Sequence, residues 1–578
     1  MKKLFLISAS TFALLTAAPV IAQDYNNQST VNQTGTNGDA TVEQSGTLGV
    51  STINQGGNAN TAELIQSGLK NTSTITQNDG VGGSDDGNVA EVTQSGDNNT
   101  SVVDQTNDFS RATVDQGGKG NASNIDQSGS LDVANVNQIG TNNLSELTQS
   151  GNVNDADVNQ SGERNKSYLT QSSGFNTAIV NQLSIAPDDG EDNTSRLTQE
   201  GGGANFASIR QTGNTNTSDV VQGGAFNDVG DATDAGVVQE SDGNSAKIRQ
   251  IGGFQSASVL QKGRNNNIAD IAQGGSTGAS HIADVVQDGR ANEAYVDQRG
   301  FNQTAEVEQT GDENIATINQ GGDGVALING FGDDHVATVT QIGDDNDATV
   351  TQLGSSQTAE VTQTGTNNNA IVDQGRNRVL TGLFGLGDSG FGERQDSKIN
   401  QQNFNNTAKT TQLGEDQNAE IDQRGNRNAA QGVYLFGAEI RQGGNNGRFN
   451  DASIIQISDE NRALTIQNGT SLSANVSQGG SGDHESFINQ SGNGGAAELN
   501  ANVVQNGSGN ASSITQGDAN GSNQVANVTQ LGNDNESFIT QTGTGHIANV
   551  TQNSDLNDSF ITQSGTGHIA NVTQGAPN

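Results

Sequence analysis

The chain has no cysteine and no tryptophan, one methionine and only three prolines in 578 residues. Without cysteine there is no disulfide framework, no thiolate nucleophile and no sulfur-ligated zinc or iron. Aromatic residues make up 4% and apolar residues 30%, too little for the roughly three or four closed cores this length would otherwise hold. Basic residues are scarce as well. Lys and Arg number 25 against 65 Asp and Glu, a formal charge of −40, and so acidic a chain repels nucleic-acid phosphate. Yet charged residues are only 16% of the total, fewer than a charge-dense disordered chain carries. Glycine, at 77 residues, is plentiful.

Long apolar runs are confined to the start. Lys2 and Lys3 form a basic opening, Leu4 to Ala18 is apolar or small, and Val20 and Ala22 stand third and first before Gln23. This pattern predicts a secretory signal peptide over residues 1–22, too short and too abruptly followed by polar chain to be a membrane anchor. Loss of its two lysines takes the charge of the mature chain, 23–578, from −40 to −42. No later segment is apolar enough to cross a bilayer, so no transmembrane segment is expected in the mature chain.

The glutamines carry the organisation. They fall at 33, 44, 55, 66 and 77, at 94, and then every 11 residues from Gln105 to Gln182. The same step recurs from Gln287 to Gln320, from Gln341 to Gln374 and from Gln530 to Gln574. In all 44 such glutamines occur, with Gly330 standing in one further position. Self-similarity at a fixed period marks a solenoid. The unit reads N-x-A/S-x-V/I/L-x-Q-x-G-x-x, as in Asn121, Ser123, Ile125, Gln127 and Gly129. Seven residues alternate with period two, which predicts a strand with one specified face, and Gly two places after Gln turns the chain. A helical period would scatter the same residues around a cylinder.

The small residue four before Gln alternates Ser and Ala from Ser29, Ala40 and Ser51 to Ser167 and Ala178, and again at Ser537, Ala548, Ser559 and Ala570. Two unlike strands per repeat predict an all-β parallel β-solenoid of stacked strand-turn-strand arches, with two strands per rung of about 22 residues and about 22 rungs. The predicted core ladder includes Asn121, Ser123, Ile125 and Gln127. At the C-terminal end it includes Ser537, Ile539, Gln541, Ala548, Val550, Gln552, Ser559, Ile561, Gln563, Ala570, Val572 and Gln574. Half of the inward positions are amides, costly to bury unless paired. In a parallel stack each is expected to donate to the identical amide one rung on, while Val, Ile and Leu supply about 1.5–3 kcal/mol of burial apiece. The five histidines, His281, His335, His484, His546 and His568, all lie six residues before a Gln, at the inward Asn position. Phe538 and Phe560, 22 apart and three before a Gln, are expected to stack one rung apart on the outer face.

Breaks in rhythm mark loop insertions near 78–89, 183–193, 223–233, 375–396 and 424–437. They are expected in turns, because an insertion inside a strand would flip its faces. The acidic insertions, such as Asp85–Gly87 and Asp188–Gly190, match neither a calcium roll nor a calcium-binding helical loop. The segments 379–387 and 433–436 are the most apolar of the mature chain and read as tucked loops or as a docking patch. No catalytic constellation is present: Glu43, Glu63 and Glu308 sit where the repeat takes any polar residue, and a thin arch offers no cleft for paired carboxylates. No metal site and no cofactor are expected. An ice-binding face would need a regular Thr-x-Thr array, which the mixed Thr, Glu, Asp and Asn positions lack.

The repeat resembles the curlin family of curli fibre subunits. Gln563, Gly565, Ala570 and Gln574 keep the family spacing, with His568 where the family has Asn and Asn557 where it has Ser. Gln127, Gly129, Ala134 and Gln138 show the same skeleton, with Asn121 at the Ser position and Asp132 at the Asn position. The resemblance covers about residues 27–575 and is greatly expanded in repeat number. It implies a secreted, non-enzymatic subunit that self-associates into amyloid-like fibres at the bacterial cell surface and in the biofilm matrix. It also implies an outer-membrane secretion pore and a nucleating subunit as partners. A repeat-stalk surface adhesin or a monomeric secreted solenoid are the alternatives.

Overall fold

The computed structural model describes residues 26–78, 87–184, 192–230, 236–263, 265–275, 280–321, 334–375, 393–428, 437–492, 498–518 and 523–575. The proposed signal peptide and the apolar segments 379–387 and 433–436 lie outside them. The chain divides into two compact units, Met1–Ser280 and His281–Asn578, and each is an all-β parallel solenoid.

In the first unit strands alternate between two ladders. Gln28–Thr36 pairs in parallel with Val50–Asn58, and that with Thr72–Asn78. Asp39–Gln44 pairs with Thr61–Gln66, and that with Val89–Asp97. The second unit repeats the scheme from Ile282–Asp288 on Thr304–Thr310 and Glu293–Arg299 on Ile315–Gln320. It reaches Ile569–Gln574 on Ile547–Gln552. The register is the one the 22-residue period demands, with Ser123 opposite Ser145, Ile125 opposite Leu147 and Gln127 opposite Gln149.

The alternation of the sequence sets the core. Ile125, Leu147 and Leu169 of one ladder and Val114, Val136 and Val158 of the other are all buried, one branched apolar side chain per strand. That side chain alone does not offset the ~1–2 kcal/mol per residue needed to order the backbone, so each strand depends on its neighbours. The turn after most strands rests on glycine. At Gly118 φ is +101°, and a Cβ there would come within 2.2 Å of the Gly140 carbonyl oxygen one rung on. Only glycine permits so close a backbone approach.

Two expectations about insertions need correction. The insertions near 78–89, 183–193 and 375–396 do end at a ladder position, Asn88, Asn193 and Gln395. The insertion expected at 223–233 instead interrupts a strand. Phe206 and Ala207 pair with Asp228 and Val229, and the same neighbour resumes as Ile209 paired with Val237. Between Val229 and Val237 the pairing passes over one outward position of the neighbour, Ser208, and residues 231–235 lie outside the described residues. An even surplus at an outward position leaves the alternation intact, so Val229 and Val237 both face inward and are buried. The insertion near 424–437 likewise falls after its ladder residue, Asn428, whose backbone nitrogen meets Asn406, and before Ala438, which pairs with Ala408. Gln309 pairs with Gln341 and Gln320 with Gln352, which leaves no rung for an additional unit; Gly330 itself lies outside the described residues.

Candidate functional site: stacked amide and imidazole ladders

The glutamine ladder does what the sequence predicts and more. Gln127 Nε2 donates to Gln149 Oε1 at 2.8 Å along the stack, and to the Arg111 carbonyl of the facing ladder at 3.1 Å. Gln149 repeats both bonds, to Gln171 at 2.8 Å and to the Val133 carbonyl at 2.9 Å. Gln541 donates to Gln563, and Gln552 to Gln574, each at 2.9 Å. Each amide thus ties a rung to the next and one layer to the other.

The asparagines act differently from expectation. Asn121 Oδ1 accepts the backbone N–H of Asn143 at 3.0 Å, and its Nδ2 donates to the carbonyls of Gly117 at 2.9 Å and Gly140 at 3.2 Å. An amide-to-amide bond from Asn143 at 3.2 Å is only a supplement. Asn is one methylene shorter than Gln and sits where the backbone turns, so its nearest unsatisfied groups are those of the corner.

This geometry explains the histidines. His546 Nδ1 accepts the backbone N–H of His568 at 3.3 Å, and its Nε2 lies 3.1 Å from the Thr542 carbonyl. His484 does the same with Asn510 at 3.3 Å and the Gly479 carbonyl at 2.6 Å. His281 Nδ1 accepts from Gln303 at 3.4 Å. In His484 and His546 the imidazole replaces the Asn amide as acceptor and donor, which requires the neutral Nε2–H tautomer. His281, His335, His484 and His546 are buried, and burial pushes His335 down to about 4 and His484 below the ordinary range. His568, in the last described rung, is exposed. With one nitrogen accepting and the other donating, His546 has none free for a metal. Among the described residues no group of three or more His, Cys, Asp and Glu could hold an ion.

Of the predicted core residues, Asn121, Ser123, Ile125, Gln127, Ser537, Ile539, Gln541, Ala548, Val550, Gln552, Ser559, Ile561 and Gln563 are buried. Ala570, Val572 and Gln574 are half-buried, because Ile569–Gln574 is covered on one side by Ile547–Gln552. Phe538 and Phe560 face outward in adjacent rungs with ring centroids 5.1 Å apart and 4° between planes.

Two energetic costs were not read from the sequence. Asp132 occupies an asparagine corner: Oδ1 accepts the Asn154 N–H at 2.9 Å while Oδ2 is buried against Gly129. Desolvation pushes its carboxyl up to about 6, with the Asn154 bonds pulling the other way. The serines of one ladder are also costly. The hydroxyls of Ser123, Ser145 and Ser167 are buried without a hydrogen-bond partner.

These rungs define a class, the parallel β-solenoid held by in-register amide ladders. Within that class the Curlin associated repeat matches residues 278–311, 289–322, 343–375 and 525–553, stretches where the glutamine step of 11 runs unbroken. These stretches are similar to curlin repeats. No curated protein matches the chain. Among the described residues no helix is long and apolar enough to cross a membrane.

Proposed function

We propose that this chain is a secreted structural subunit that polymerises into extracellular, curli-type amyloid-like fibres of the biofilm matrix and cell surface. The observation that carries the reading is the sameness of the rung interface. Each rung presents Gln to Gln, a branched apolar side chain to another and a turn carbonyl to an amide. Nothing in that list distinguishes the next rung of the same chain from a rung of another copy. A self-complementary head-to-tail contact that does not close gives an open filament.

Residues 1–22 serve as the export signal in this reading, and the curlin resemblance supports passage through an outer-membrane pore and growth from a nucleating subunit. No catalytic role is assigned. Purified residues 23–578 at micromolar concentration provide the test. Thioflavin fluorescence should rise after a lag that shortens with concentration and vanishes when sonicated fibres are added. A chain that stays monomeric at every concentration and ignores seeds contradicts the proposal.

A further inference from the structure

Besides the glycine turn, each rung has a second left-handed position, the residue just before the ladder Asn. Along one edge of the first unit this position is held in consecutive rungs by Phe109, Leu131, Val153, Phe175, Phe226 and Phe254, all with φ between 58° and 61°. Ala204, at φ 56°, fills the one gap between Phe175 and Phe226. Corner hydrogen bonds keep them in register: Leu131 N–H to the Asp108 carbonyl, Val153 to Ser130, Phe175 to Asn152 and Phe254 to Ala225. The six larger residues are 38–67% exposed, and the rings of Phe226 and Phe254 stack at 5.1 Å.

Local chemistry does not call for these residues. A left-handed backbone favours Gly, Asn or Asp and costs other residues about 1–2 kcal/mol. Elsewhere the same corner is polar or small: on the opposite edge of the same unit Asn98, Gly120, Asn142, Gly243 and Asn266 follow that rule, and Lys70, Arg164 and Thr215 are polar departures from it. In the second unit it carries residues such as Asn302, Asp334, Asp345 and Asn367. Among the described residues Leu48, Phe449 and Leu556 are the other large apolar residues at this corner, each isolated. The ridge also carries little charge where the rest of the surface is acidic, with the half-buried Asp108 beside Phe109 as its one flanking acid outside the buried Asp132. The residues on either side of Val153, Phe175, Ala204, Phe226 and Phe254 are all uncharged, and Asp132, beside Leu131, is buried.

We infer that this ridge is a lateral contact between two copies of the chain, ridge against ridge. The inference rests on the fibre reading given above. Charge selects the occupant. On a chain of net −40 most faces repel a second copy, whereas here an apolar strip about 29 Å long, at ~4.8 Å per rung and flanked by the single half-buried acid Asp108, meets its like. The area sets the strength. Half-exposed aromatics that bury roughly 150–250 Å² each when fully covered give about 500 Å² per copy and about 1,000 Å² per pair, the low end for a specific interface. A single pair is therefore weak, and side-by-side association becomes firm only when many ridges are aligned along two fibres.

The test compares the mature wild type with a variant carrying Phe109→Asn, Phe175→Asn, Phe226→Asn and Phe254→Asn, since Asn suits a left-handed corner and the fold is preserved. A control carries Phe449→Asn and Leu556→Asn at the isolated corners. Fibre width by electron microscopy and sedimentation of the soluble chain are both measured. The proposal expects bundled fibres from the wild type and the control, and single fibres from the ridge variant at an unchanged cross-β spacing. If no chain forms fibres, the fibre reading fails, and a wild-type dimer absent from the ridge variant still supports the ridge contact. Equal bundling of the wild type and the ridge variant, or, where no fibres form, equal sedimentation of the two, overturns it.

Discussion

His568 donates its backbone N–H to Nδ1 of His546 at 3.3 Å, and the two rings stack with centroids 5.3 Å apart and 4° between their planes. The bond exists only while Nδ1 of His546 is unprotonated, and protonating both rings would stack like charges. Against this stands the surface, where 65 acids lose repulsion on acidification and five histidines are too few to reverse the trend. Assembly should be faster at roughly pH 4–5 than at about pH 8, in the wild type and in a variant with His546→Asn and His568→Asn alike. Lag times against pH decide it. A lag that lengthens on acidification in the wild type but not in the variant would make the histidine pair the controlling element.

Asp132 and His335 carry opposite pH signatures. The Asp132 carboxyl, raised from 3.8 to about 6, binds more protons folded than unfolded between those values. Its contribution is present below about 3.8 and is lost as pH rises through about 6. Asp132→Asn should therefore raise the melting temperature at about pH 7.5 and have little effect at about pH 4. His335, lowered from 6.5 to about 4, does the reverse. The unfolded chain takes up the proton first as pH falls through about 6.5, so stability is lost between there and about 4, and His335→Asn should flatten that loss. Thermal unfolding at the two pH values checks both; a stabilisation by Asp132→Asn that is larger in acid would contradict the assignment.

The serine ladder makes a prediction against intuition. Removing a hydrogen-bonding group usually destabilises, but Ser123, Ser145 and Ser167 bury hydroxyls that bond nothing, and the facing ladder manages with Ala112, Ala134 and Ala156. Replacing all three serines by Ala should be neutral or stabilising, by about 1 kcal/mol per site at most. A loss of more than about 1 kcal/mol in denaturant unfolding would mean that the hydroxyls are satisfied in solution.

Much of this was legible because the signal is periodic. Gln127 and Gln149, 22 residues apart, announce both the strand and its partner, and the alternation around Ile125 names the buried face. The role of Asn121 was not legible, since its partners are backbone groups of a corner whose path the side-chain pattern does not specify. The ridge escaped for a related reason. Phe109 and Phe175 fall in the four variable residues between strands, where the consensus is silent, and only the positive φ shared by every rung brings them onto one edge. The strand-interrupting insertion between Val229 and Val237 was missed because a surplus of six preserves the alternation that an odd one would destroy.

The outer phenylalanine pair is not part of the core. Phe538 and Phe560 stack at 5.1 Å, and Phe560 remains 70% exposed, so their cross-rung contact adds only about 0.5–1 kcal/mol. Changing both to Ser should lengthen the lag or thin the bundles while leaving the strand spacing unchanged. Loss of all ordered structure, read by circular dichroism, would mean that the two faces of Glu536–Thr544 are assigned backwards.

The central claim is that rungs from different copies stack as rungs within one copy do. X-ray diffraction from aligned fibres of residues 23–578 tests it most directly. The account predicts a sharp meridional reflection at about 4.7–4.8 Å, with sheet packing near 10 Å on the equator. Fibres that lack the meridional reflection, or a mature chain that forms no fibres under any assembly condition, would contradict it.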